Sequence, residues 1–176
     1  MSSELRVDKI VPVDGVSAGS GNSPGTSFVG GGGIIQVQMG ASENSQYISD
    51  NNSWRTTGLN VNITPKFNTS KILVQVTSAP KTNGSSSNFQ FGAQIQRNST
   101  TIMYDNEYLQ MNNGYAPNAF TGAYTVLDSP ASTSALTYKF RVKETVDGRE
   151  LYFENSTDNT GNYYNKHTMT LMEVSA

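Results

Sequence analysis

Cysteine is absent from the 176 residues. That removes disulfides, thiolate nucleophiles and cysteine-ligated zinc, and it leaves the chain compatible with oxidising or reducing surroundings. Histidine occurs once, at position 167 in the strand-like HTMTLMEV. Histidine metal clusters are therefore excluded, and a Ser-His-Asp triad would have to pass through that one residue with no G-x-S-x-G elbow beside it. Charge is scarce too: 15% of residues are charged and the net charge is −2. Nucleic-acid binding needs clustered Lys and Arg to displace phosphate counterions, so no nucleic acid is expected as a partner. No apolar run approaches the roughly 20 residues that span a membrane. The opening MSSELRVDKIVPVDG is broken by Asp8, Lys9 and Asp14 and does not read as a signal peptide. The expectation is a soluble protein made in the cytoplasm of the producing cell, with no membrane insertion.

A helical stripe is missing as well, and in its place the apolar period is two nearly everywhere from Ile34 onward. Leu59, Val61 and Ile63 alternate with Asn60 and Asn62. KILVQVTS sets Ile72, Val74 and Val76 against Leu73, and NFQFGAQIQR puts Phe89, Phe91, Ala93 and Ile95 on one face. In LTYKFRVKE, Leu136, Tyr138, Phe140 and Val142 face one way while Thr137, Lys139, Arg141 and Lys143 face the other. Turn chemistry separates these runs, with Asp147-Gly148 the best hairpin turn because it reaches positive φ cheaply. Several short strands with one wet face each predict an all-β fold, an antiparallel β-sandwich of jelly-roll type.

Four consecutive glycines, Gly30 to Gly33, precede the first strand. Each loses more conformational freedom on ordering than any other residue, so the stretch reads as a joint. It divides an extended N-terminal arm and joint, residues 1–33, from a body of residues 34–176. A phosphate loop would need a following Lys and a helix, and neither is present. The arm carries Leu5, Val7, Ile10, Val11 and Val13. That is too little for a core, but it suits an added edge strand or a groove on a partner.

No catalytic constellation, cofactor site or metal site is expected. Pairs such as Asp105 with Glu107, or Glu144 with Asp147, would flank a sugar bond only by accident of folding, and DNTGN lacks the closing Glu of a calcium loop. Asn-X-Ser/Thr triplets at Asn62, Asn68, Asn98 and Asn155 fit chance in an Asn- and Thr-rich chain. Two segments read as loops at the hairpin ends combine tyrosine with asparagine: MYDNEYLQMNNGYAPN, with Tyr104, Asn106, Tyr108, Asn112, Asn113 and Tyr115, and DNTGNYYNKH, with Tyr163 and Tyr164. Flat amphipathic rings beside adaptable amides suit contact with a glycan or a protein, though the ends of strands in a Tyr-rich β protein share the same composition.

The segments LRVDKIVPVDG, GGGIIQV, TGLNVNITPKFNTSKILVQV, RNSTTI, DSPASTSALTYKFRVK and HTMTLMEV, taken in this order, resemble virion-surface proteins of marine tailed bacteriophages, particularly cyanophages. These include tail-fibre-like, head-fibre and decoration proteins. The resemblance implies a phage structural protein at the virion surface, with a jelly-roll body similar to tumour-necrosis-factor and C1q heads and usually trimeric. It implies partners of three kinds: other copies of the chain, a virion protein held by the N-terminal arm, and a host-surface glycan or protein. Two functions follow from it, a short fibre for host attachment and a capsid decoration or cement protein that braces the head lattice. The chain departs from a long fibre in having no coiled coil, collagen-like repeat or β-helix repeat.

Overall fold

In a computed structural model of the chain, the described residues are 33–42, 46–48, 53–83, 89–111, 122–144, 150–153, 156–157, 163–164 and 167–175. Every regular element among them is a strand. In chain order these are β1 (Ile34–Ser42), β2 (Gln46–Ile48), β3 (Arg55–Ile63), β4 (Lys71–Ser78), β5 (Lys81–Asn83), β6 (Phe89–Arg97) and β7 (Thr100–Met111). They continue with β8 (Gly122–Asp128), β9 (Leu136–Glu144), β10 (Glu150–Phe153), β11 (Ser156–Thr157), β12 (Tyr163–Tyr164) and β13 (His167–Val174).

The eight long strands form two antiparallel four-stranded sheets, one ordered β1-β13-β4-β8 and the other β3-β9-β6-β7. Counted along the chain, the first long strand pairs with the last, the second with the seventh, the third with the sixth and the fourth with the fifth. That is one long antiparallel hairpin wrapped into a two-sheet sandwich, the jelly-roll winding. The smaller strands pair as β2-β10-β5 and β11-β12.

The alternation read from the sequence sets the core. Leu59, Val61 and Ile63 from β3 and Ile72, Val74 and Val76 from β4 are buried together with Phe91, Ala93 and Ile95 from β6, and so are the inward residues of β9 and β13. The outward partners, such as Asn60, Asn62 and Gln75, stay in water. Gly40 lies where β1 comes closest to β3: a Cβ there would stand 2.7 Å from a Val61 methyl.

Polar groups close both ends of the sandwich. At one end Arg97 of β6 and Tyr138 of β9 both reach Asp128 of β8, at 2.7 Å and 2.6 Å, and so tie the two sheets together. Burial, and then the hydrogen bond and the negative charge of Asp128, push the Tyr138 hydroxyl well above the usual phenol range. At the same end, with Ile72 of β4 between it and Asp128, lies Glu173, a fully buried carboxylate that accepts from Gln36 Nε2 at 2.6 Å and from the backbone N–H of Lys66 and Phe67. Burial alone would raise its pKa; those donors outweigh burial and hold it below the usual carboxylate value. At the other end His167 is buried, and its Nδ1 accepts from Ala79 N–H at 3.2 Å and from the Ser78 hydroxyl at 2.9 Å. Desolvation lowers its pKa to about 4, so the ring is neutral near pH 7.

The expected Asp147-Gly148 turn lies outside the described residues, and the strands before and after it, β9 and β10, do not pair with each other. Strand β9 is already flanked by β3 and β6, and β10 pairs with β2 and β5 instead. The tight hairpin lies between β6 and β7, where Asn98 takes a left-handed φ of 53° in a two-residue turn with Ser99. Its side-chain oxygen accepts from Thr137 N–H at 2.9 Å, and its own N–H donates to Thr137 O at 2.7 Å.

Candidate functional site

The outward faces of the two sheets differ in chemistry. On the first, cross-strand register aligns Val37, Met172, Leu73 and Leu127 in one row across β1, β13, β4 and β8. Four strands set about 4.8 Å apart make such a row roughly 15 Å wide. Met39 extends the apolar surface along β1 on one side, and the Ile34–Val174 pair extends it on the other. Val37 and Leu127 are each 52% exposed, and Met39 is 67% exposed. An antiparallel sheet with one wet face ordinarily shows polar residues there, so an apolar row of this length is a surface suited to being covered.

The second sheet faces outward with amides and cations. Lys139 and Arg141 stand on β9, with Gln96 and Gln94 as their direct partners on β6 and with Asn60 and Thr56 as partners on β3. Between Asn60 and Thr56, strand β3 bulges: Thr57, Gly58 and Leu59 together oppose Phe140. Gly58 at φ 77° supplies the left-handed conformation, and the Thr57 hydroxyl donates to Phe140 O at 2.8 Å in place of a ladder bond. The result is an open cleft of about 480 Å³ lined by Thr56, Asn60, Gln96, Asn98, Ser99, Lys139 and Arg141.

Arg141 is fixed within this cleft. One of its nitrogens donates to Gln94 Oε1 at 3.1 Å, a second donates to Trp54 O at 2.8 Å, and Gln94 is held in turn by donating to Thr101 Oγ1. Two neutral acceptors leave the guanidinium charge uncancelled and three of its five N–H donors uncommitted among the described residues. Lys139 has no ion pair among those residues, and Lys143, next outward on β9, lies 5.1 Å from the Trp54 ring centre. The acids Asp128, Glu144 and Glu173 face the interior, and Asp105 stands opposite Ala93, whose methyl is in the core, so it is on the far side of the sheet from the cleft. Among the described residues no cluster of His, Asp and Glu could hold a metal ion.

Tyr104 alone of the eight tyrosines and asparagines singled out in the sequence has a described side chain. It is 62% exposed on β7, directly across from Gln94 and hence on the same face as Arg141. The backbone at Asn106 and Tyr108 is strand rather than loop, in a second bulge where residues 106–108 together oppose Gly92. The backbone at Tyr163 and Tyr164 forms β12, paired with β11. Asn112, Asn113 and Tyr115, like the arm residues Leu5, Val7, Ile10, Val11 and Val13, lie outside the described residues. The cleft around Lys139 and Arg141 escaped the sequence reading, although its signal was present in the outward Thr137, Lys139, Arg141 and Lys143 of LTYKFRVKE.

No protein-family model matches the chain, and no curated protein matches it. Solved structures with a similar fold include dimeric latent PorU from Porphyromonas gingivalis, at 10% identity and a TM-score of 0.43, covering 82% of this chain. They also include the T=1 particles derived from infectious bursal virus, at 14% identity, a TM-score of 0.41 and 80% coverage. A third is the VP2 subviral particle of infectious bursal disease virus, at 11% identity, a TM-score of 0.36 and 80% coverage. The chain spans 13% of the PorU chain and 36% and 32% of the two viral chains. Two of these neighbours are viral particle proteins, and none of the three comes from a marine phage.

Proposed function

We propose that the chain is a structural protein of a bacteriophage virion, a short fibre or appendage. Its N-terminal arm, through Leu5, Val7, Ile10, Val11 and Val13, anchors it to another virion protein, and its β body assembles as a trimer displayed for attachment to a host surface. The observation that carries this reading is the Val37–Met172–Leu73–Leu127 row, an apolar band on a face that a lone sandwich would leave wet. Copies of the chain are its fitting occupant: each brings the same apolar band in a surface of low charge, and a closed ring of three covers every band at once. The resemblance of the segments quoted above to phage surface proteins supports the virion setting.

Sedimentation of the full chain at micromolar concentration should give three chain masses, and a clean monomer refutes the assembly. Deleting residues 2–15 should leave a folded body that no longer joins particles. Capsid decoration is the second reading, favoured by the same apolar row if the surface it meets is the head lattice. Copy number separates the two: about a dozen per particle supports a tail fibre, several hundred a decoration, and intermediate values a head fibre.

A further inference from the structure

We propose that the cleft on the outer face of the β3-β9-β6-β7 sheet is a binding site for an acidic polysaccharide, a glycan chain bearing carboxylate or sulfate groups. Arg141 and Lys139 receive the anionic groups, and the amides of Asn60 and Gln96 receive the hydroxyls between them.

Charge complementarity comes first. Arg141 is held in one orientation by Gln94 Oε1 and Trp54 O, acceptors that carry no negative charge. A guanidinium fixed in this way presents its remaining donors as a ready fork for a carboxylate or sulfate. Lys139 adds a second cation one outward position along the same strand, about 6.6 Å away at the usual strand rise of 3.3 Å per residue. Charges repeated at that interval suit a ligand with an anion on successive units better than a single small ion.

The rest of the lining narrows the class. It consists of amides and hydroxyls, with no apolar side chain and no aromatic ring among the seven residues. A protein partner would want an apolar centre, and a single-stranded nucleic acid would want rings on which to stack its bases. A hydroxyl-rich chain needs neither inside the cleft, and Tyr104, exposed across from Gln94, offers a flat face at the edge for a sugar ring. The bulge at Gly58 opens the cleft, and the Asn98–Thr137 pair fixes its other wall, so the site is built before the ligand arrives.

The proposal deepens the attachment reading and rests on it only for the source of the glycan; binding belongs to the purified chain. The test measures binding of the full chain at low salt to polygalacturonate and dextran sulfate, with neutral dextran, poly-glutamate and single-stranded DNA as competitors of other classes. Polygalacturonate or dextran sulfate should bind, neutral dextran should not, and poly-glutamate and DNA should bind more weakly at equal charge. Affinity should fall with salt at a log–log slope of roughly two, for two ionic contacts. Lys139→Gln should weaken binding about five-fold and Lys139→Glu at least about twenty-fold, as loss and then reversal of one of two ionic contacts. Neither should move the thermal midpoint, since Lys139 has no ion pair to lose among the described residues. Asn60→Ala should weaken polygalacturonate while leaving poly-glutamate unchanged.

Absence of binding to both acidic polysaccharides overturns the proposal. So does undiminished binding by Lys139→Glu, which would move the site elsewhere, and so does equal or tighter binding of poly-glutamate or DNA, which would reduce the cleft to a nonspecific cationic patch. The mass of the full chain in solution scores the assembly reading separately, because Lys139→Glu leaves the apolar row of the other sheet untouched.

Discussion

Replacing Val37 or Leu127 by Lys tests the assembly through the two ends of the apolar row. Each side chain is 52% exposed, so about half of its surface is left for a partner to cover. Fully burying such a side chain stabilises by roughly 1.5–3 kcal/mol, which puts the uncovered half at about 1 kcal/mol. Lysine loses that term and also brings an ammonium into the seam, at a further cost of about 2–3 kcal/mol after partial snorkelling. Each change recurs three times in a trimer, so the assembled state should lose on the order of 10 kcal/mol. Because trimerisation depends on the square of concentration, that corresponds to a rise of roughly three to four orders of magnitude in the concentration at half-assembly.

Ala at the same positions removes only the apolar term, about 3 kcal/mol per trimer, and should raise that concentration by about ten-fold. Sedimentation velocity over a dilution series reads both effects, and circular dichroism checks that the monomer stays folded. Lys139→Gln, on the other sheet, is the control and should assemble like the parent chain. If both lysine variants keep the parent's mass at every dilution, the row is not the seam. If they unfold the chain instead, these positions belong to the core of the monomer, contrary to their exposure.

Three further outcomes concern the frame that holds the two faces apart. Asp128→Ala leaves the Arg97 guanidinium and the buried Tyr138 hydroxyl without their carboxylate and should cost roughly 3–5 kcal/mol in urea denaturation, whereas Tyr138→Phe, which removes one charge-assisted bond, should cost about 1.5–3. Gly58→Ala should destabilise by roughly 1–2 kcal/mol because φ 77° strains any residue with a Cβ, and it should weaken whatever the cleft binds. Stability should also fall with pH: the His167 pKa lies near 4 in the fold against 6.5 unfolded, so the unfolded chain takes the proton first. Roughly 3 kcal/mol is then lost between pH 6.5 and about 4, a loss that His167→Gln should flatten. Glu173, whose pKa is lowered in the fold, adds its own loss only below about pH 4.5.

The strands and the core were legible in the sequence because period-two alternation is a local property. Leu59-Val61-Ile63 or Tyr138-Phe140-Val142 needs only its own pleat to decide which side is apolar. Pairing was less legible. Asp147-Gly148 has the right turn chemistry and lies outside the described residues, while the strands on either side of it, β9 and β10, go to different sheets. Asn98-Ser99 makes the tight hairpin, and an Asn able to reach positive φ was its only local sign. The cleft depends on a bulge, which shifts register by residues whose spacing carries no periodic signal apart from an unexplained glycine in an exposed strand position. Tyr104, expected in a loop, is in a strand because β6 and β7 continue their ladder as far as Met111.

The contrast between the two outer faces follows from which strands the winding places side by side. Residues 73, 127 and 172 are far apart in sequence, and each alone is an unremarkable apolar residue on a wet strand face. The jelly roll pairs the third long strand with the sixth and the first with the last, and a common register then lines Leu73 up with Leu127 on one side and with Met172 and Val37 on the other. The same winding puts the cationic β9 in the middle of the other sheet, between β3 and β6, where its outward side chains meet amides from both neighbours. A face suited to being covered and a face suited to a hydrated anionic ligand are thus held back to back across one core, and the Asp128 bridge joins the two sheets through that core. A change on either outer face should therefore leave the other face's property intact, whereas Asp128→Ala, acting on the frame, should weaken assembly and ligand binding together.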